Sequence, residues 1–367
     1  MRDVIRLSPL RACSSARWPV LWLLLCGLAG CATPRGELDL QTPASPYRWP
    51  PPPEAARIQW EGELRGEDNF PREGGGQGRR MLAWLTGLML GEDEPLRLQR
   101  PMSGAVDPAL GRIYVSDVGL RALVVFDTRE RRVALWRGAG EFSFHTPIAV
   151  AVLPDSSLWV SDAEQGVVHL DAAGRLRGRL PRARLQRPTG LCRDARGRLV
   201  VADSAAHRLA LFDVEGVFLG YWGGKGRSPG RFNGPTHVAC SPDGLIAVAD
   251  TLNARVQVLD GQGRVVRILG RRGAFLGDTP RPKGVAWDAQ GRLYVVESLF
   301  DHLLVYDRDG RALLPIGGSG SSPGRFQLPA GAWSDGEGRL YIADMFNRRV
   351  AVLRLLEGQR EAGRARK

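Results

Sequence analysis

The sequence predicts an all-β fold, a single six-bladed β-propeller, on three observations. A proline-led apolar strand recurs six times, its spacing is nearly constant, and each copy repeats one pattern of short strands. The opening prolines are Pro101, Pro147, Pro188, Pro235, Pro282 and Pro329, at intervals of 46, 41, 47, 47 and 47 residues. The length of 367 residues suits one such domain, and 46 Gly and 25 Pro supply the turns that many short strands require.

Within each copy a turn, Gly-bearing in most, leads to a second strand that ends in an acid: Asp117, Asp162, Asp203, Asp250, Glu297 and Asp344. A short loop then opens a third strand, as in Arg208-Leu-Ala-Leu-Phe-Asp213, and most copies add a fourth, as in residues 217–223. Four strands joined by hairpins make one blade, giving blades at 101–146, 147–187, 188–234, 235–281, 282–328 and 329–355. Asn253-Ala254-Arg255 and Asn347-Arg348-Arg349 precede third strands, and Gly-rich stretches span 224–232 and 318–326. With these motifs the chain resembles NHL-repeat propellers from Pro101 to about Leu355; blade two departs most, lacking the turn Gly and the Asn-x-Arg element.

A ring of blades must close, because an open strand edge invites aggregation. The sixth copy runs out after its third strand, while residues 57–64 alternate with Ile58, Trp60, Gly62 and Leu64 on one face. That orphan strand is expected to complete blade six. Between it and blade one, residues 81–90 (Met-Leu-Ala-Trp-Leu-Thr-Gly-Leu-Met-Leu) are almost wholly apolar and read as one short helix, either packed over the propeller or used for docking.

The first thirty residues read as an export leader: Arg2, Arg6, Arg11 and Arg17, then an apolar run ending Leu28-Ala29-Gly30-Cys31. This resembles a bacterial lipobox, implying lipidation of Cys31, and Ala32 at the next position implies the outer membrane, facing the periplasm. Residues 31–56, with the run Pro50-Pro51-Pro52-Pro53, are expected to be a Pro-rich tether, and 356–367 a basic tail. Four Arg and one Asp leave with the leader, so the net charge of +12 becomes +9. In an exported protein such charge favours an envelope protein or anionic glycan as partner, besides the membrane reached through Cys31; nucleic acid fits the charge but not the compartment. Cys192 and Cys240 fall in the first strands of neighbouring blades, where a sheet spacing of about 10 Å argues against a bridge.

The six acids follow the repeat, so they are expected to bond turn N–H groups and not to hold a cation. Some NHL propellers are zinc lyases with His directly after the blade-opening proline. Here those positions hold Met102, Ile148, Thr189, Thr236, Lys283 and Ala330, and only His237, one residue further on, is a weak metal candidate. No cofactor or catalytic residue is assigned; a metal-dependent lyase or hydrolase in the central channel is the alternative to binding. The loops before each proline and after each acid share one face, which gathers the binding candidates Arg187, His207, Arg208, His237, Arg255, Arg281, Lys283, His302, Arg348 and Arg349, with Arg100, Phe300 and Phe346. The competing explanation is that Arg208, Arg255 and Arg349 merely pair with neighbouring acids.

Overall fold

The computed structural model describes residues 36–71 and 94–356. Among the described residues six antiparallel blade sheets stand around a common axis, five of them beginning in the chain with the strand nearest that axis, and a two-stranded ribbon pairs Gly138–Ala139 with Phe142–Ser143. Blade three shows the plan: Pro188–Arg193, Leu199–Asp203, Arg208–Phe212 and Phe218–Gly223 pair in chain order. Period-2 patterning explains it, since the second and third strands are buried on both faces and are nearly continuous runs such as Leu-Val-Val-Ala. The outer strand alternates exposed and covered residues. The core lies between blades, where Val200, Ala202 and Leu209 of blade three pack on Val238, Ile246 and Val248 of blade four.

Blade six is a five-stranded sheet in the order Arg48–Trp49, Ile58–Leu64, Arg349–Leu355, Arg339–Asp344, Pro329–Ser334. Ile58 lies opposite Leu355, Trp60 opposite Leu353 and Gly62 opposite Val352, so Glu61 is the extra residue of a bulge. The bulge turns the Glu61 carboxylate onto Arg339 and Arg354, at 2.8 Å from each. A Cβ at Gly62 would sit 2.2 Å from the Leu40 carbonyl oxygen, so the preceding segment lies tight against this strand.

The tether expected over 31–56 is therefore shorter than the proline content suggested. Leu38 and Leu40 pack on the core, Asp39 N–H donates to Asn69 O at 2.8 Å, and Thr42 Oγ1 donates to Glu61 O. The Asn69 side chain, fully buried, holds the Arg65 and Gly66 N–H groups and the carbonyls of Asp39 and Glu63. Polyproline stiffness governs only where no partner surface lies alongside. The apolar segment 81–90, Cys31 with the leader, and residues 357–367 of the basic tail lie outside the described residues.

The expectation for Cys192 and Cys240 is corrected: they form a disulfide, with Cα atoms 5.7 Å apart. The spacing of about 10 Å holds for sheets stacked face to face, whereas blades fan out from an axis and their inner strands converge. Added Cβ atoms measure the convergence: at Gly190 one would lie 2.5 Å from His237 Cα, and at Gly331 2.5 Å from Met102 O.

Candidate functional site at the loop-rich face and channel mouth

The acid ending each second strand joins the two loops that form this face. Asp117 accepts from Gln99 and Arg100 N–H at 2.7 and 3.0 Å, and from Gly119 and Leu120 N–H in its own turn. Asp162 does the same with His145, Thr146, Glu164 and Gln165, and Glu297 with Arg281, Leu299 and Phe300. Burial raises the Glu297 and Asp344 carboxyls above their usual range, against these hydrogen bonds. Asp203, Asp250 and Asp344 take backbone N–H groups from the proline loop only, and add the side chains of Arg208, of Asn253 with Arg255, and of Asn347 with Arg349, so each of the six acids clamps its proline loop.

The clamps separate the binding candidates into two groups. Arg208, Arg255 and Arg349 turn back onto Asp203, Asp250 and Asp344, at 3.4, 2.7 and 2.8 Å. Arg349 is 1% exposed and is withdrawn from the ligand face; Arg208 stacks on Tyr221. His207 Nδ1 accepts the Gly234 N–H, and half-buried His302 stacks on Phe300. Arg100, Arg187, Arg281, Lys283 and Arg348 remain, and no side-chain hydrogen bond or ion pair engages them among the described residues. Arg100, Arg187, Arg281 and Arg348 are exposed, whereas Lys283 is partly covered; burial, then nearby Arg281, lowers its ammonium pKa.

His237 is not on the face. It projects into the channel, where Nε2 meets Ser103 Oγ of the opposite blade at 3.2 Å. The equivalent positions are Ser103, Ala149, Gly190, Gly284 and Gly331, so small residues leave the room that one imidazole fills. Desolvation pushes its pKa down to about 4, only partly offset by the Val285 backbone. Among the described residues no three His, Cys, Asp or Glu side chains converge as metal ligands. His145, at the end of blade one, sits by Glu164, and His169 stacks on Trp159 within blade two.

The His237 shift predicts a pH signature. The folded pKa lies below the unfolded value of 6.5, so the unfolded chain binds the proton first. Stability is then complete above pH 6.5 and falls as pH drops towards about 4, by about 3 kcal/mol. His237→Gln should remove this slope, so the stability difference between the two proteins narrows across that window in urea titrations. Parallel curves would refute the assignment.

The face also carries apolar residues that sequence reading only half found. Phe300 and Phe346 were visible as residues after the acids, but Leu252 and Leu299 occupy equivalent loops and are 60% and 52% exposed. Phe275 and Leu276, at 78% and 57%, crown the loop from blade four to blade five. That loop is ordered: Asp278 accepts from Phe275 N–H and pairs with Arg271, and Tyr306 OH donates to Gly277 O. Six exposed large apolar side chains therefore share the face of blades four to six with Arg281 and Arg348.

This architecture defines a six-bladed β-propeller of repeated four-stranded blades. A family model for the NHL repeat matches residues 185–212, so blade three is an NHL repeat through its first three strands. No curated protein matches the sequence. Among solved structures the chain is similar to a protein of unknown function from Bacteroides thetaiotaomicron, at 16% identity over 70% of each chain and TM-score 0.56. It is also similar to a gluconolactonase from Xanthomonas campestris, at 17% identity over 71% of this chain and 87% of that one, TM-score 0.55. Virginiamycin B lyase from Staphylococcus aureus matches at 12% identity over 71% and 98%, TM-score 0.52. At these identities the likeness speaks for the fold alone.

Proposed function

We propose that the chain is a non-catalytic binding propeller of the bacterial envelope, lipidated at Cys31, that engages a protein partner through its loop-rich face. The carrying observation is the apolar cluster Leu252, Phe275, Leu276, Leu299, Phe300 and Phe346 set beside unpaired Arg281 and Arg348 on clamped loops. Rigid aromatic anchors with arginines at their margin are the composition of protein interfaces, and the free cations call for an acidic partner surface. The leader ending at Cys31 supports export, and so does the Cys192–Cys240 bridge, which an oxidising compartment maintains. In this reading residues 58–64 are the clasp that closes the ring.

The test is cross-linked capture from envelopes by the lipidated protein. Phe300→Ser with Phe346→Ser should weaken capture of a discrete protein at least about tenfold, as truncation of anchors does. Leu219→Ser with Ile268→Ser, exposed on outer strands, should leave it intact. Equal capture by all three proteins, or recovery of glycan only, would overturn the protein-binding reading. Loss of metabolic acyl labelling in Cys31→Ser tests the anchor separately.

A further inference from the structure

The residue before each opening proline stands where the chain enters the inner strand, at the rim of the central channel. In blade order these residues are Arg100, Thr146, Arg187, Gly234, Arg281 and Leu328. Arginine occupies every second blade, which places three guanidiniums around the axis in an approximately three-fold arrangement. Their backbones are held on both sides. The N–H groups of Arg100, Arg187 and Arg281 donate to Asp117, Asp203 and Glu297, while their carbonyls accept from Val118, Ser204 and Ser298. Rigid backbones thus carry exposed side chains that no acid neutralises among the described residues.

A fourth cation stands just inside this crown. Lys283, directly after Pro282, is partly covered, and among the described residues no hydrogen-bonding partner or carboxylate engages its ammonium. An ammonium in that setting gains most from an anion that enters from solvent. The hydroxyls beside it are already engaged: Thr236 Oγ1 bonds Thr251 Oγ1 and the Lys283 carbonyl, and Thr189 Oγ1 bonds the Ala202 carbonyl. Recognition at the mouth therefore falls to the cations. Beneath them the His237–Ser103 contact crosses the channel, so an anion stops there.

We infer that the channel mouth is a binding site for a compact polyanion, one molecule bearing three or more carboxylate or phosphate groups, held by Arg100, Arg187, Arg281 and Lys283. The inference rests on the loop-rich face being the binding face. Three separated guanidiniums, with one ammonium beside Arg281, match several anionic groups carried on one molecule, and a single phosphate can satisfy only part of the set.

Calorimetry on the mature protein with inorganic phosphate, citrate, inositol hexakisphosphate and poly-glutamate decides it. Citrate or inositol hexakisphosphate should bind one to one and at least about tenfold tighter than phosphate, and the preferred probe tells carboxylate from phosphate. Arg187→Ala and Arg281→Ala should each weaken that binding about tenfold, one charge-assisted contact's worth, and Lys283→Met should do at least as much. Arg193→Ala, exposed at the opposite end of its strand, should change nothing. Equal weakening by Arg193→Ala, no gain over phosphate, or tight binding of poly-glutamate alone would overturn the proposal. The Phe300→Ser, Phe346→Ser protein should bind the polyanion normally, so loss of partner capture and loss of polyanion binding report on separate proposals.

Discussion

A chain beginning at Arg65 is expected to lose most of its stability, while one beginning at Glu54 loses a fraction. Deletion through Leu64 uncovers Val350, Val352, Leu353 and Leu355 of blade six by removing Ile58, Trp60 and Leu64, each 1% exposed or less. At about 1.5–3 kcal/mol per large side chain this amounts to about 5–9 kcal/mol, comparable with the whole stability of a typical domain. It also removes Glu61 and Glu63, which takes the acid from Arg339 and Arg354 and one of two acids from Arg349, and exposes the Arg349–Leu355 edge. Deletion through Pro53 removes Leu38, Leu40 and Trp49, which are only partly buried, and should cost about 2–4 kcal/mol. Thermal midpoints of a chain beginning at Ala32 and of the two shortened ones should therefore fall in the order Glu54 start below Ala32 start, and Arg65 start lowest. Equal midpoints for the shortened pair would show that the strand closes nothing.

Arg349→Ala is expected to cost about 3–5 kcal/mol, the range for stranding the partners of a buried ion pair. Its guanidinium binds Asp344 through Nε and Glu63 through Nη1, both at 2.8 Å, and donates through Nη2 to the Ser322 and Arg325 carbonyls. It also lies over the Trp60 ring, 5.1 Å from its centroid. One side chain thus ties the N-terminal strand, blade six and the Gly-rich loop together. Arg349→Lys should recover little, because an ammonium cannot fork between two carboxylates and two carbonyls. Asp344 already has a raised pKa from burial. Without the cation it rises further, so the deficit of Arg349→Ala should shrink as pH falls and the carboxyl is neutralised. Arg208→Ala, a partly exposed counterpart at 3.4 Å, should cost about 1 kcal/mol or less. Equal losses at the two positions in urea unfolding would contradict this account.

The candidate site was legible in its outline and not in its membership. The topology places the proline loops and the acid loops on one face, and that follows from counting strands. The repeat offers Arg208, Arg255 and Arg349 as partners of neighbouring acids, but how deeply each is withdrawn does not follow. Arg208 stays partly exposed, whereas Arg349 is 1% exposed between two carboxylates. The partner that decides it, Glu63, lies 286 residues away. His237 stands out in the sequence as the histidine one residue beyond the position that zinc-binding propellers of this kind use, but its contact with Ser103 of the opposite blade is a product of ring closure.

By itself the sequence determined what is local and periodic: six proline-led repeats, their strand order, and the acids that clamp each turn. These depend on alternation and on hydrogen bonds within about twenty residues, so the pattern carries them. Tertiary structure decided whatever depends on convergence toward the axis. It brought Cys192 and Cys240 within bonding reach, set Leu38 and Leu40 against the core instead of in a tether, and left Phe275 and Leu276 exposed on an ordered loop. The physical reason is geometric. Distances between blades shrink from rim to axis, and no spacing along the chain encodes that radius.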